Sequence, residues 1–507
     1  MDNLNKWEVE QEDQTYRPNS QPIKHAASLF ERGEEVQFRR ERLKEIFEAM
    51  SGKLLSRMED IYGKLYSFPA STGSLPDPWQ EIIDALYRNG CIHTPAIHFD
   101  PPFNDEPKMF FAYLSAYLDN DLLESRFYNK QMGGHGASFD FNLAISKSIG
   151  EFLERYSLLH WKRYSTRTAT LANLRSKRVS FLKPQSLAGV EDKNITDDAP
   201  FRWVRGYNAI TGKRILLPAS AVFWNYCAIS GEPVICEANT NGAGGMFTLE
   251  GAILSGLREL IQRDAFLIFW LNTIAPPRVK ISSLEGKALS VAEKLREYRF
   301  DFEILDVTTD IGLPAFVAVL MDGTGDRRSI YIGAGCESDP DSAIARALEE
   351  SFLVYHIIRR SKALFTLPDP YIPFQTPLGH AERVRLWANP NMFPQFSWFL
   401  KGKAASFQEI KKKYYRSGLN DPHKEYVFLL QDFNKRGSGY EIYYYQASHP
   451  ILDTLGFYSA KVIVPELVPL YLHETNARLS ARRYREVPGM LGYRNPIFPN
   501  FLPHPFP

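Results

Sequence analysis

Apolar positions recur at helical spacing in the first part of the chain and mix with alternating, strand-like stretches in the rest. Between Phe30 and Tyr66 they come every three or four positions, and residues 79–87 form another amphipathic segment. These patterns predict a mostly helical region over residues 1–125, which we interpret as a docking element for a partner or a peptide. Residues 126–507 form the second predicted domain.

Alternating stretches indicate strands in that second domain. Residues 203–207 and 214–218 flank a Thr-Gly-Lys turn and predict an antiparallel pair. Further along, residues 426–432, 440–446 and 457–464 alternate in the same way and predict three more strands. Strands interspersed with helices indicate a domain of the α+β or mixed α/β class.

One pattern occurs three times in the second domain: a Gly-x-Gly pair, then a helical run with a glutamate fifteen positions after the second glycine. The copies are Gly134–Gly136 with Glu151, Gly242–Gly244 with Glu259, and Gly333–Gly335 with Glu350. Successive copies lie roughly a hundred residues apart, whereas solenoid repeats have periods of about 20–50 residues. We therefore expect one strand–turn–helix unit used three times in a single domain, with glycines in the tight turn.

Small residues precede each glutamate by one and by two helical turns. They are Ser148 and Ala144, Gly256 and Ala252, and Ala347 and Ala343. Side chains of this size would let the three helices, or a ligand, approach closely. The simplest interpretation of the acids is local, because Glu151–Arg155 and Glu259–Arg263 have the spacing of i,i+4 ion pairs.

A second interpretation follows if the three helices converge. Convergence would place four acids beside three arginines, namely Glu151, Glu154, Glu259 and Glu350 with Arg155, Arg263 and Arg346. Carboxylates hold Mg²⁺, guanidinium groups form bidentate bonds to phosphate, and glycine-rich helix starts offer backbone N–H groups. The pattern thus predicts a site for a magnesium-bound polyphosphate. It is not a P-loop, since no G-x-x-x-x-G-K-[ST] stretch exists.

The composition argues against several classes of partner and of structural site. A net charge of +1 gives no reason to expect nucleic acid or an anionic membrane as partner. The four cysteines are scattered without a C-x-x-C pair, so we expect neither a disulfide framework nor a structural zinc site, and we expect a reducing cytoplasm. No run of about 18 apolar residues indicates a membrane span, and the polar, acidic N-terminus is unlike a signal peptide.

The residues around the glutamates resemble three motifs of the YcaO superfamily, whose members use ATP and Mg²⁺ to activate backbone amides of peptides. Glu151 to Ser157 resembles the first motif, Asn241 to Asp264 the second, and Arg346 to Glu350 the third. Residues 462–465 and the ending Pro503-His504-Pro505-Phe506-Pro507 resemble the closing segment of the family. The resemblance extends over residues 130–507 and implies pseudo-repeated strand–turn–helix units around mixed sheets.

The resemblance also implies roles for individual residues. The implied nucleotide-binding residues are Glu151, Glu154, Arg155, Asn241, Glu259, Arg263, Arg346 and Glu350, and the four glutamates among them are the implied magnesium ligands. The Pro-x-Pro-x-Pro ending is typical of members that make azoline rings, and it implies that the terminal carboxylate of Pro507 is a catalytic base. Composition alone would make this end a flexible, Pro-rich tail.

The activity implied by the resemblance is ATP-dependent cyclodehydration of Cys, Ser or Thr in a ribosomally made precursor peptide. The implied partners are that peptide and a separate, leader-binding E1-like protein, because 125 residues are too few for a fused E1-like module. A flavin dehydrogenase and a homodimer are further options that the resemblance leaves open.

Five positions depart from the family pattern. Gly251 and Gln262 stand where members place magnesium ligands, and Leu353 replaces a glutamine of the third motif. His135 replaces a lysine between two glycines, where we expect a structural histidine, and Lys147 replaces a serine.

The lost acids leave other functions open. They would weaken metal binding, shift it onto Glu250, or mark a site that no longer binds ATP. A catalytically reduced scaffold or binding subunit is therefore one alternative to the cyclodehydratase. A second is another amide activation, such as thioamide or amidine formation.

Overall fold

The chain divides into two compact units, Met1–Gln80 and Glu81–Pro507. The computed structural model describes residues 79–92, 96–117, 131–159, 166–190, 195–324, 327–361, 364–414, 419, 421–447 and 449–506. The helix predicted between Phe30 and Tyr66 lies outside these residues, and the domain boundary at residue 125 stays a prediction. No helix in the described ranges has the length and apolar character needed to cross a bilayer.

The described part of the chain contains short and long helices of very unequal burial. They are α1 Trp79–Arg88, α2 Phe141–Leu159, α3 Leu171–Ser176, α4 Ala219–Val222, α5 Leu249–Leu271, α6 Gly286–Glu297, α7 Pro340–Ser361, α8 His380–Trp387, α9 Phe393–Phe396, α10 Phe407–Tyr414, α11 Pro422–Arg436, α12 Pro450–Leu455 and α13 Arg482–Met490. The segment predicted at residues 79–87 is the helix α1.

The strands in the same ranges are mostly short. They are β1 His98–Asp100, β2 Phe110–Tyr117, β3 Gln131–Ser138, β4 Thr166–Thr170, β5 Pro200–Asn208, β6 Arg214–Pro218, β7 Ala243–Met246, β8 Arg278–Val279, β9 Asp301–Asp306, β10 Ala315–Thr324, β11 Arg327–Cys336, β12 Ala404–Ala405, β13 Tyr443–Gln446 and β14 Tyr458–Ile463. The predicted hairpin pairs β5 with β6, and the α+β class is confirmed.

One predicted strand is wrong. Residues 426–432 lie inside helix α11, which begins where the Asp421 side chain accepts the Lys424 N–H and where Pro422 takes the first helical position. Tyr426, Leu429 and Phe433 then bury one face at helical spacing. The start signal should have outweighed the short alternation.

Three sheets organise the strands. Their orders are β1-β2-β3, β11-β10-β9-β8-β12, and β4-β5-β13-β14-β7 with β6 on β5. The strand pairs are antiparallel except β8 with β12. In the second sheet, alternate residues of β10 face opposite cores: Val317 and Val319 pack with residues of α5, and Phe316 and Ala318 with residues of α7. This sheet is therefore covered by a helix on each face.

The three repeats form a closed ring. Each unit is a strand followed by a long helix: β3 and α2, β7 and α5, and β11 and α7. Helix α2 also packs on strand β7, α5 packs on β11, and α7 packs back on β3. Each helix is thus shared between its own strand and the strand of the next unit. This arrangement brings the middles of the three helices together.

The sequence predicts that the glycine pairs form tight turns at the starts of the helices. For most of these glycines the prediction is wrong. Most of them lie in strands β3, β7 and β11 and face the helix of their own unit. A Cβ atom on the second glycine of each pair would collide with a backbone carbonyl oxygen of the helix that packs on the strand. The colliding pairs are Gly136–Ala144, Gly244–Ala252 and Gly335–Ala343. The small helix residues therefore admit a glycine strand rather than a ligand, and the two patterns have one physical cause.

Candidate functional site

The three repeated glutamates each form an ion pair within their own helix. The distances are 2.7 Å for Glu151 Oε1 to Arg155 Nη2, 2.6 Å for Glu259 Oε1 to Arg263 Nη1, and 3.1 Å for Glu350 Oε1 to Arg346 Nε. The local interpretation of the sequence is therefore correct for the side chains as they stand. The packing of the helices also brings these pairs into one neighbourhood, as the second interpretation requires, and the binding of magnesium and polyphosphate there stays a prediction.

The strand of each unit adds a backbone contact to the glutamate. The middle residue of the first glycine pair, His135, donates its N–H to the second oxygen of Glu151. Ala334 does the same for Glu350 at 3.4 Å. In the second copy, Ala243 instead donates to the Thr240 carbonyl, so Glu259 lacks this bond among the described contacts. The first and third copies are the geometrically equivalent ones.

Burial and neighbouring charges give the acids of the ring different pKa values. Burial, reinforced by the carboxylates of Glu259 and Glu151, raises the pKa of Glu154 to about 8. Burial also raises the pKa of Glu259, against the opposing effect of Arg263. Burial would raise the pKa of Glu151 as well, but Arg155 and His135 outweigh it and hold that pKa below its usual value. At neutral pH the ring therefore contains an ionised Glu151 beside a protonated Glu154.

Lys461 belongs to this site and was missed from the sequence. It lies in β14, is almost fully buried, and its Nζ donates to the Asn239 carbonyl at 2.7 Å. Burial lowers its pKa to about 8, against the effect of Glu259. A lysine within an otherwise buried strand was the available signal, because buried lysines need an acidic or carbonyl partner.

Asn241 lies beside Lys461 in the wall of a cavity of about 90 Å³. Its Nδ2 donates to the Leu470 carbonyl, while its Oδ1 is buried with no partner within the described ranges. Apolar residues of β14 and of the loop after it complete much of the lining. The cavity thus offers one unsatisfied acceptor and one buried ammonium group, and Glu237 and Arg478 add further charged groups to its lining.

The positions that depart from the family pattern lie in different environments. Gly251 occupies the first turn of α5, eight residues before Glu259 and thus about 12 Å away along the helix axis. Its backbone N–H donates to the side-chain oxygen of Thr248, which caps the helix, so Gly251 lies outside the carboxylate ring. Gln262 is buried one turn beyond Glu259, and Leu353 packs against the core under α7.

Two other departures border the ring. The imidazole of His135 packs at a tilt against the side chain of Tyr113, with 4.6 Å between the centroids of the two aromatic rings. Its Nδ1 lies 3.7 Å from Glu151. Lys147 donates to the Ala137 carbonyl and to Glu349 of α7, each at 2.9 Å. Lys147 therefore joins the first unit to the third, and His135 supports Glu151.

The C-terminal tail packs against the core over residues 503–506. Residues 503–506 are buried, and the ring of Phe506 packs against Phe266 of α5 with 4.9 Å between centroids. Trp387 donates its indole N–H to the Pro503 carbonyl at 2.9 Å. Pro507, the predicted base, lies outside the described residues. Its role stays a prediction.

The acids of the ring have the chemistry that Mg²⁺ requires but not yet the geometry. No group of three His, Cys, Asp or Glu side chains in the described part of the chain is assembled to hold a metal. Glu151, Glu259 and Glu350 each point toward an arginine instead. A cation would offset the burial and the carboxylate repulsion that raise the pKa of Glu154, so the donor set fits a divalent ion if the glutamates exchange their arginines for it.

Similar proteins have been found by sequence. An uncharacterized protein of the tfuA 3′ region of Rhizobium leguminosarum bv. trifolii is 30% identical over 196 residues, which cover 36% of this chain and 45% of that one. An uncharacterized protein of Methanothermobacter thermautotrophicus is 29% identical over 210 residues, or 41% and 53%. The chain spans about half the length of these curated relatives.

Solved structures share the fold. A heterocyclase in complex with substrate and cofactor superposes with a TM-score of 0.63 at 19% identity, over 84% of this chain and 57% of that one. YcaO from Methanopyrus kandleri, bound with AMPPCP and Mg²⁺, gives 0.54 at 16% identity, over 77% and 91%. An Escherichia coli microcin synthetase McbBCD complex gives 0.52 at 15% identity, over 75% and 91%.

The sequence model of one family, described as YcaO cyclodehydratase, ATP- and Mg²⁺-binding, matches residues 133–468, about two thirds of the chain. The matched range includes the three glycine strands, the three helices with their glutamates, and Lys461. It ends before the proline-rich tail. The chain belongs to the YcaO family.

Proposed function

We propose that this protein uses ATP and Mg²⁺ to activate backbone amides of a peptide, and that its reaction is the cyclodehydration of Cys, Ser or Thr to azolines in a ribosomally made precursor. The observation that carries the proposal is the ring in which three Glu–Arg pairs converge from three equivalent helices. Membership of a family described as ATP- and Mg²⁺-binding supports the choice of ligands.

The proposed reaction has three steps: addition, phosphorylation and elimination. The substrate hydroxyl or thiol adds to the preceding backbone carbonyl and gives a hemiorthoamide, and its proton passes to a base. The new oxyanion attacks the γ-phosphorus of ATP, and ADP leaves. The amide nitrogen then expels the phosphate, loses its proton and forms the C=N bond of the azoline. The carbonyl oxygen ends in inorganic phosphate, so the peptide loses the equivalent of one water.

The residues of the ring would position and neutralise the polyphosphate. Glu151, Glu154, Glu259 and Glu350 would hold Mg²⁺, which supplies charge neutralisation to the phosphates when bound. Arg155, Arg263 and Arg346 would turn from their glutamates onto phosphate oxygens, where a guanidinium makes two bonds. Positioning and electrostatic stabilisation of this kind carry most phosphoryl transfers.

Three further groups complete the proposed site. Asn241 would offer its unsatisfied Oδ1 to a donor on the nucleotide. Lys461 would balance the acids from beneath while no cation is bound. The terminal carboxylate of Pro507 would accept the proton of the attacking side chain.

The partners follow from the chemistry of the substrate. The proposed substrate is a ribosomal precursor peptide, presented by a separate leader-binding protein. Solved relatives include a heterocyclase in complex with substrate and a microcin synthetase complex with pro-MccB17 bound, which supports a peptide substrate and partner proteins in general.

A direct test incubates the protein with ATP, Mg²⁺ and a Cys-containing test peptide, with and without the protein encoded beside it. We expect phosphate release and a peptide that has lost the mass of one water per modified residue. Exchange of an amide oxygen for sulfur, read from the mass, would instead indicate thioamide formation. Absence of phosphate release with every peptide and partner tried would contradict the enzyme proposal.

One observation favours a second candidate, a YcaO-like scaffold or binding subunit. The arginines occupy the glutamates, and Gln262 and Leu353 stand where acids or amides are expected. A scaffold would bind the precursor peptide without Mg²⁺-dependent nucleotide binding. Titration with ATP in the presence and absence of Mg²⁺ separates the two candidates.

A further inference from the structure

The tail from Phe501 to Phe506 is held at several points along its length. Its carbonyls at 501, 502 and 503 accept bonds of 2.9, 3.3 and 2.9 Å from Tyr371, Trp270 and Trp387. The ring of Phe506 packs on Phe266. These neutral contacts would suffice to keep a proline-rich segment against the core.

One tail residue has a different kind of contact. His504 is fully buried, and its Nε2 lies 3.0 Å from the carbonyl oxygen of Tyr471 and against Nη1 of Arg383. The same Nη1 bonds to the Tyr471 carbonyl at 2.9 Å and lies 3.4 Å from Glu474 Oε1. Arg383 and Glu474 are both fully buried. A buried ion pair therefore surrounds a single histidine of the tail.

This cluster is costly for the fold. Five of its atoms are buried without a partner in the described ranges: Arg383 Nε and Nη2, Tyr471 Oη, Glu474 Oε2 and His504 Nδ1. An unsatisfied buried polar group lowers the stability of the fold, and an apolar pair often replaces a buried ion pair without loss of stability. Local conflicts of this kind are expected at sites retained for function.

The sequence of the tail explains how the cluster acts at a distance. Prolines at 503, 505 and 507 fix their own φ angles and bias the residues before them toward extended conformations. In a segment this stiff, fixing His504 restricts the orientation of Pro505 and Phe506, the next residues. The cluster also borders the ring, since Arg263, after burial and Arg383, is among the groups that hold the pKa of His504 below its usual value.

We propose that Arg383, Tyr471, Glu474 and His504 form a seat that sets the direction of the C-terminal tail, and that they are positioning residues for the amide activation. The inference rests on the proposed function, because the seat acts through the carboxylate of Pro507. The neutral contacts hold the tail down, whereas the seat decides where its end points.

The experiment compares His504→Met with His504→Gln in the full chain. Glutamine can accept from Arg383 and donate to the Tyr471 carbonyl, whereas methionine fills the space without either bond. Phosphate release from ATP and Mg²⁺ with a Cys-containing test peptide gives kcat and KM for ATP. We expect His504→Met to lower kcat at least tenfold with KM within twofold, and His504→Gln to stay within threefold of wild type. Ile497→Ser, at an exposed position shortly before the tail, is the control.

A double-mutant cycle separates positioning from a general loss of structure. In a chain that lacks Pro507, His504→Met should lower kcat no further. An additive loss in that background, or equal losses for the two His504 variants, would overturn the proposal. If His504→Met does not fold, Glu474→Gln takes its place in the same cycle with the same outcomes.

A readout without catalysis distinguishes failure of the seat from failure of the proposed function. Carboxypeptidase Y digestion followed by intact mass measures how firmly the end of the chain is held. Release of the last residues should be at least tenfold faster for His504→Met than for wild type or His504→Gln. Equal rates would refute the seat. A wild-type chain that releases no phosphate but shows the rate difference would instead refute the proposed function.

Discussion

Glu151 and Arg155 form an ion pair at 2.7 Å, and their side chains are 32% and 27% exposed. An ion pair with this much solvent contributes only about 0–1 kcal/mol. The pair can therefore open at little cost, as the proposed binding of a cation by the carboxylate and of a phosphate by the guanidinium requires.

Glu151→Gln should reduce phosphate release by about 10²-fold or more, the size of effect seen when one charged or hydrogen-bonding group is removed from a transition-state site. Steady-state phosphate release with the test peptide measures it. The matched control is Glu250→Gln, an exposed acid paired with His423 at the first turn of α5. Unchanged turnover in Glu151→Gln with a loss in Glu250→Gln would place the metal at Glu250 instead.

Glu154→Gln should stabilise the fold increasingly as pH rises. The folded pKa of about 8 lies above the ordinary value of 4.5, so between these values the folded chain holds a proton that the unfolded chain has lost. Stability therefore falls as pH rises through that window, and glutamine removes this loss. Melting temperatures at pH 5.5 and 8.5 should show a gain for the variant that is larger at pH 8.5.

Glu151→Gln should change the stability of the fold in the opposite direction to Glu154→Gln. The folded pKa of Glu151 is below its ordinary value, so its ionised form adds stability above that value and loses it as pH falls. The variant should be less stable than wild type at neutral pH and should approach it in acid. Differences of the same sign for both variants would contradict the protonation states assigned to the ring.

Gly335→Ala should destabilise the fold, because its Cβ would meet the Ala343 carbonyl of α7, and neither backbone segment can yield. Overpacking of this kind costs about 1–3 kcal/mol. Gly150→Ala is the matched control, since its Cβ has open space in the middle of α2, and it should gain about 0.5–1 kcal/mol. Urea unfolding of both variants measures the difference. A neutral Gly335→Ala would show that the strand does not lie against the helix.

Removal of Pro507 alone should lower turnover by about 10²-fold or more, the usual contribution of a general base, with a residual rate that can still be measured, and should leave the melting temperature unchanged. Removing residues 505–507 together would not be a clean test, because Pro505 and Phe506 are buried. Phe506→Ala should itself cost about 3–5 kcal/mol, the usual range for a buried Phe. Full turnover without Pro507 would exclude the terminal carboxylate as the base.

The sequence predicted much of the site because its signals are local. Glu151, Glu259 and Glu350 stand at one spacing after their glycines, and a spacing that repeats three times specifies a repeated unit. The ion pair of Glu151 with Arg155 also followed from helical periodicity alone. The α+β class and the family followed in the same way.

Other features escaped because they depend on contacts between distant segments. The glycines were assigned to turns, since a glycine pair in the sequence does not show that a helix will lie against it. Lys461 was missed because it lies some two hundred residues after the acid that it faces, and sequence spacing carries no information about such a meeting.

The sequence by itself thus determined that one strand–helix unit occurs three times and that each copy carries a Glu–Arg pair at helical spacing. Only the tertiary structure decided that α2, α5 and α7 close a ring, that burial and the carboxylates of Glu259 and Glu151 raise the pKa of Glu154, and that residues 503–506 of the tail are buried. The physical reason is that helical and strand periods are set by neighbouring residues, whereas charge crowding and burial are set by which faces meet after the chain has folded.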